Sequence, residues 1–136
     1  MSDAEQMVPL HPRKAAAGEP LTDCITACLD CEHACTACAD ACLGERDATT
    51  LVRCIRLDLD CADICMTTAR VMSRQTAFDP TLARALLQAC ARACHICGDE
   101  CDQHAQHGLQ HCQVCREACQ RCEQACNTLS RVILHT

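Results

Sequence analysis

Residues 24–42 read CITACLDCEHACTACADAC. Thiols stand at Cys24, Cys28, Cys31, Cys35, Cys38 and Cys42, separated alternately by four and three residues. That spacing lays all six side chains along one stripe of an α-helix, the stripe that faces inward when helices pack as a bundle. Positions that ordinarily hold Leu and Ile hold Cys. The pattern returns downstream at Cys54, Cys61 and Cys65, at Cys90, Cys94, Cys97 and Cys101, and at Cys112, Cys115, Cys119, Cys122 and Cys126. No strand alternation interrupts it.

The punctuation between stripes divides the chain into four helices. The first is expected from about Thr22 to Leu43, where Gly44 offers a C-terminal stop. Asp47 can cap a second helix reaching about Arg74. Asp79 before Pro80 starts a third, because proline suits the first helical turn, and that helix should end near Gln106. Gly108 marks a turn into a fourth helix running to about Leu134. Short connections force antiparallel neighbours, so the expected fold is all-α, an antiparallel up-down-up-down four-helix bundle with a cysteine-lined core. Residues 1–20 contain three of the four prolines and no cysteine. They read as an N-terminal tail with room for partial order, followed by a bundle domain over 21–136.

At 136 residues the chain is long enough for one self-sufficient core, yet it has a single aromatic residue, Phe78. Small core side chains bury less apolar area than Leu and Phe would, so the metal-free fold should lean on helix propensity, oligomer contacts or a ligand. The net charge of −6 comes without a basic cluster, which argues against nucleic acid as a partner. The first 20 residues lack the apolar run of a secretory signal, and no segment is long enough to span a membrane. A cytoplasmic setting is therefore expected, where thiols stay reduced and many cysteines point to metal rather than disulfides.

Extending each stripe past its cysteines shows what closes the two ends. Leu21, Met72, Leu87, Leu129 and Ile133 should gather at one end as a hydrocarbon plug. His104, His107 and His111 should gather at the other, near Cys38, Cys42 and Cys54, as a mouth lined by imidazole and thiol. Asp58 falls on the stripe between Cys54 and Cys61, where an unpaired carboxylate is costly; metal coordination and pairing with Arg both remain open for it. Met72 can offer a thioether, but its neighbours favour core packing. His11, His33 and His95 read as surface residues. Outward apolar side chains such as Ile25, Leu57, Leu59, Ile64 and Val71 suggest a partner surface.

Eighteen aligned thiols are too many for Cys acting as a small buried hydrophobe. Disulfides within one helix suffer from poorly aimed Cβ vectors. Soft thiolates select Cu(I), Zn(II) or iron–sulfur clusters, and charge ranks them. A narrow low-dielectric core tolerates little net charge. One Cu(I) per Cys replaces one proton per Cys and leaves the core near neutrality. Four-thiolate Zn(II) sites would each stay doubly negative, and zinc favours loop-borne ligand pairs. A ferredoxin needs cysteines on loops, with Pro after the last, and no Pro follows any cysteine here. Zinc or another soft metal, a cysteine-rich electron carrier, and a metal-free thiol buffer are the rival readings. No organised catalytic constellation is visible, so an enzyme is not expected.

The four stripes, the Ala-flanked C-x3-C-x2-C runs and the histidine-bearing mouth resemble the copper storage proteins, and the lack of an export signal resembles their cytosolic branch. The resemblance covers about Thr22 to Leu134. It implies storage and detoxification of many Cu(I) ions in the bundle interior, entry at the histidine end, occasional non-Cys ligands at the place of Asp58, and a homotetramer. A copper chaperone or a cuproenzyme recipient is the further partner it implies. The exported branch carries a methionine-rich mouth, which histidines replace here.

Overall fold

The computed structural model describes residues 1–13 and 17–134. Lys14 to Ala16 and the last two residues of the bundle range, His135 and Thr136, lie outside the described set. Helix α1 spans Asp3–Leu10, α2 Glu19–Leu43, α3 Val52–Met72, α4 Pro80–Ala105 and α5 Gln110–Leu134. The last four form the bundle and run 21 to 26 residues each, or roughly 32 to 39 Å at 1.5 Å per residue. Each packs on its sequence neighbours, and α5 closes on α2, while neither diagonal pair meets backbone to backbone.

Sulfur contacts fix the directions of the helices. The start of α2 meets the end of α5 through Cys24 and Cys126, 3.8 Å apart, and the end of α2 meets the start of α5 through Cys38 and Cys112, also 3.8 Å apart. Cys54 at the start of α3 lies 3.9 Å from Cys101 near the end of α4, and Cys65 lies 3.8 Å from Cys90. Neighbours are antiparallel, as the short connections require.

Several local signals act as the sequence suggests. Asp79 caps α4 by accepting the Leu82 N–H at 2.9 Å, with Pro80 as the first helical residue. Gly108 takes φ +95 between α4 and α5, a left-handed conformation that favours glycine. Asp47 does not cap α3. It precedes a 3-10 turn over Ala48–Leu51 and its side chain makes no capping bond, because α3 begins four residues later than the capping reading places it. At the front of the bundle, α2 starts at Glu19, with Pro20 in its first turn.

Helix α1 is an element that the sequence reading did not place. Ser2 and Glu5 cap it reciprocally: the Glu5 N–H donates to Ser2 Oγ at 3.2 Å and the Ser2 N–H to Glu5 Oε1 at 3.4 Å. Ala4 is buried, and Val8 packs half-buried against the core. The core beneath is the expected hydrocarbon plug of Leu21, Met72, Leu87, Leu129 and Ile133, all buried.

The outward apolar set is smaller than expected. Ile25 is buried, and Leu57, Ile64 and Val71 are half-buried against the core, because an α-helix in a square bundle covers more than one stripe. Leu59 is exposed, as are Leu29 and Leu82. No helix among the described residues is long and apolar enough to cross a membrane.

Candidate metal centre

All eighteen cysteines are free, and each is at most 2% exposed. Their sulfurs form a continuous column. Near one end Cys24 meets Cys126, and Cys28 meets Cys122 at 3.6 Å. In the middle Cys65 lies 3.7 Å from Cys94, Cys61 3.8 Å from Cys94, and Cys31 3.8 Å from both Cys35 and Cys119. Further along, Cys115 lies 3.6 Å from Cys35, and Cys97 4.0 Å from Cys35. A disulfide would need about 2.05 Å between sulfurs, so these are thiol contacts.

That spacing already matches shared metal coordination. Metal–thiolate bonds of about 2.3 Å separate the sulfurs of a trigonal site by roughly 4 Å. Sets of four sulfurs lie within 4.8 Å of one another along the column: Cys28, Cys90, Cys122 and Cys126; Cys31, Cys61, Cys65 and Cys94; Cys31, Cys35, Cys61 and Cys119; and Cys35, Cys97, Cys115 and Cys119. Another set at the mouth comprises Cys38, Cys42, Cys54 and Cys112. Cys31, Cys35, Cys61 and Cys119 belong to more than one set, so the sets overlap. Overlap suits an ion that bridges thiolates rather than one confined to an isolated tetrahedron.

Asp58 is completely buried inside this column. Its Oδ1 lies 3.0 Å from Cys97 Sγ, 3.3 Å from Cys115 Sγ and 3.5 Å from Cys101 Sγ, and Oδ2 lies 3.9 Å from Cys54 Sγ. The alternative of an Arg partner is not realised among the described residues. Two arginines of its own helix reach elsewhere, Arg53 to Glu100 and Arg56 to Asp60, and the third, Arg70, is exposed. Burial, followed by the neighbouring Cys115 sulfur, pushes the Asp58 carboxyl up to about 8. Elsewhere thiol neighbours act in the opposite sense: Cys126 and then Cys28 hold Cys24 down at about 5. Burial is the main cause that raises Cys42 at the mouth.

The three histidines of the mouth occupy different places. His111, in the first turn of α5, points Nδ1 at Cys38 Sγ (3.4 Å) and Cys112 Sγ (3.6 Å), with Nε2 at 3.1 Å from Glu45 Oε1. His104 is mostly buried on α4, and its Nε2 lies 2.7 Å from Glu100 Oε2. His107 is exposed in the turn, where its N–H donates to the His104 carbonyl. Glu45 and Glu100 are the site residues missing from the sequence reading. Glu100 and His104 are one helical turn apart and were legible as a pair; Glu45 is 66 residues from His111, and no local spacing joins them. His33 is exposed and His95 pairs with Asp99 and Glu123 at the surface. His11, the C-cap residue of α1, is half-buried rather than fully at the surface.

Residues 17–131 match the family model described as copper storage protein. Among solved structures, the copper storage protein of Streptomyces lividans loaded with 10 copper equivalents is 49% identical, with 94% of this chain and 98% of that chain covered and a TM-score of 0.88. A structure of copper loading to a cytosolic copper storage protein from Streptomyces lividans, with five coppers, is 55% identical over 83% of this chain and 93% of that one, with a TM-score of 0.81. The Cu(I)-bound copper storage protein 3 of Bacillus subtilis is 39% identical, covering 79% and 94% of the two chains, with a TM-score of 0.67.

Proposed function

The chain belongs to the copper storage protein family, and on that footing we propose that it takes up many Cu(I) ions onto thiolates lining the bundle, storing copper and limiting its toxicity. The observation that carries the reading is the column of buried free cysteines, whose sulfurs through its middle lie 3.6–4.0 Å from their neighbours. Binding exchanges one Cu(I) for one thiol proton, with the new sulfur–copper bond replacing the sulfur–hydrogen bond. The interior therefore changes little in net charge as it fills, which a low-dielectric column requires. Separate tetrahedral Zn(II) sites would accumulate negative charge along the same axis.

In this reading the ligands are the eighteen cysteines, with Asp58 inside the column and His104, His107 and His111 at the entrance. His111 is the best supported of the histidines, since its ring nitrogen already faces two mouth thiols. The enclosure of every sulfur supports a reservoir rather than a catalyst. A cytosolic setting suits so many free thiols and agrees with the description of one Streptomyces relative. Exposed leucines on α2, α3 and α4 supply apolar surface for a homotetramer. A copper chaperone or cuproenzyme recipient would complete the route.

The test is anaerobic loading with excess Cu(I), desalting and elemental analysis. Storage requires copper on the order of one ion per thiol, with absorption confined to the ultraviolet. Brown, iron-containing protein would support an electron carrier instead.

A further inference from the structure

We propose that Glu45 is the positioning residue for His111, fixing which imidazole nitrogen faces the thiols and so setting how fast the first Cu(I) is captured at the mouth. The proposal rests on His111 acting as a copper ligand. Glu45 sits in the α2–α3 connection, where its N–H donates to the Cys42 carbonyl at 3.2 Å and extends the last turn of α2. From that mount its Oε1 reaches His111 Nε2 at 3.1 Å across the mouth. An ionised carboxylate only accepts hydrogen bonds, so Nε2 carries the proton. In the neutral ring Nδ1 then keeps its lone pair, and Nδ1 is the atom 3.4 Å from Cys38 Sγ and 3.6 Å from Cys112 Sγ.

A soft cation arriving at Cys38, Cys42, Cys54 and Cys112 thus meets a nitrogen donor already in the binding tautomer. With the opposite tautomer, Nδ1–H would face the site, and the proton would have to move first. Carboxylates that orient metal-binding imidazoles in this way typically alter affinity or rate by about 10- to 100-fold. The same arrangement recurs at the neighbouring histidine. His104 Nε2 lies 2.7 Å from Glu100 Oε2, and Arg53 of α3 holds the other oxygen of Glu100 at 3.4 Å. Two of the mouth histidines are therefore oriented by a carboxylate on the same ring nitrogen.

The test compares full-length wild type, Glu45→Ala and Glu45→Gln. Glutamine keeps an acceptor oxygen and removes the charge, which separates positioning from electrostatic attraction of the cation. Ring-nitrogen NMR of the metal-free proteins should show His111 as the Nε2–H tautomer in wild type and Glu45→Gln, and as a mixture in Glu45→Ala. Stopped-flow transfer from a Cu(I) chelator should be about 10-fold slower in its first phase for Glu45→Ala and largely restored in Glu45→Gln, with final capacity equal in all three. An unchanged tautomer in Glu45→Ala overturns the proposal, whether or not the rate falls, as does a wild-type rate. If wild type itself saturates at one or two ions, the storage reading fails, while the tautomer measured without metal still decides the role of Glu45.

Discussion

Asp58 and Cys97 meet at 3.0 Å across the α3–α4 interface, the shortest of four thiol contacts around a carboxyl group with no exposure to solvent. Among the described residues no cationic side chain contacts that carboxyl, so the group must carry a proton or wait for a metal. This single contact ties the folding energetics of the empty bundle to its readiness to bind a cation.

Asp58 should make the metal-free protein less stable as pH rises. Its folded pKa of about 8 lies above the ordinary value of 3.8, so between those limits the folded state binds more protons than the unfolded state. The unfolding free energy then falls with pH through that window, by on the order of a few kcal/mol from this group. Thermal melts at pH 5 and pH 8.5 check this. Asp58→Asn should lose less stability than wild type between the two, and equal losses would show that the carboxyl is not protonated in the fold.

Copper should stabilise the fold strongly. The plug supplies five large apolar side chains and most of the rest of the axis supplies thiols, so the metal-free core is modest. Ligands that bind only the folded state add their binding free energy to stability. Scanning calorimetry should place the melting temperature of the loaded protein roughly 10 °C or more above that of the metal-free protein. Removal of copper by a strong chelator under reducing conditions should reverse the shift.

Leu129→Ala and Cys31→Ala should separate stability from capacity. Leu129 is fully buried in the plug, so its truncation should cost about 2–5 kcal/mol in denaturant unfolding while copper capacity stays at the wild-type level. Cys31 contacts Cys35, Cys61, Cys94 and Cys119. Its truncation leaves a smaller cavity and should cost about 1–2 kcal/mol, yet capacity should fall by at least one ion.

His111→Ala should slow loading without lowering the final amount of copper bound. Of the thiols, the ring meets the mouth pair Cys38 and Cys112, and its other contact is with Glu45 outside the column. Stopped-flow loading and equilibrium loading, measured on the same sample, check the two halves of this expectation. A loss of most of the capacity would mean that the histidine organises the column rather than its entrance.

The bundle was legible because a 3–4 spacing of one residue type leaves a helix few ways to turn. Leu21, Met72, Leu87, Leu129 and Ile133 could be assigned to one end from stripe position and antiparallel connectivity alone. The capping signal of α1 was present in Ser2 and Glu5, but eight helical residues with Pro9 among them offer no core stripe to read. Asp47 misled because a 3-10 turn separates it from α3, and capping chemistry alone does not give that offset. The surroundings of Asp58 were half legible: its stripe position placed it among thiols, while the destinations of Arg53 and Arg56 had to be seen. Glu45 was hidden altogether, since its link to His111 exists only once α2 and α5 lie side by side.

Proton release measured against Cu(I) added, in weakly buffered anaerobic solution, probes the exchange on which storage depends. About one proton should leave for each Cu(I) bound, continuing until the ions approach the number of cysteines. A plateau after one or two ions, or uptake of many ions with little proton release, would contradict a charge-neutral thiolate store.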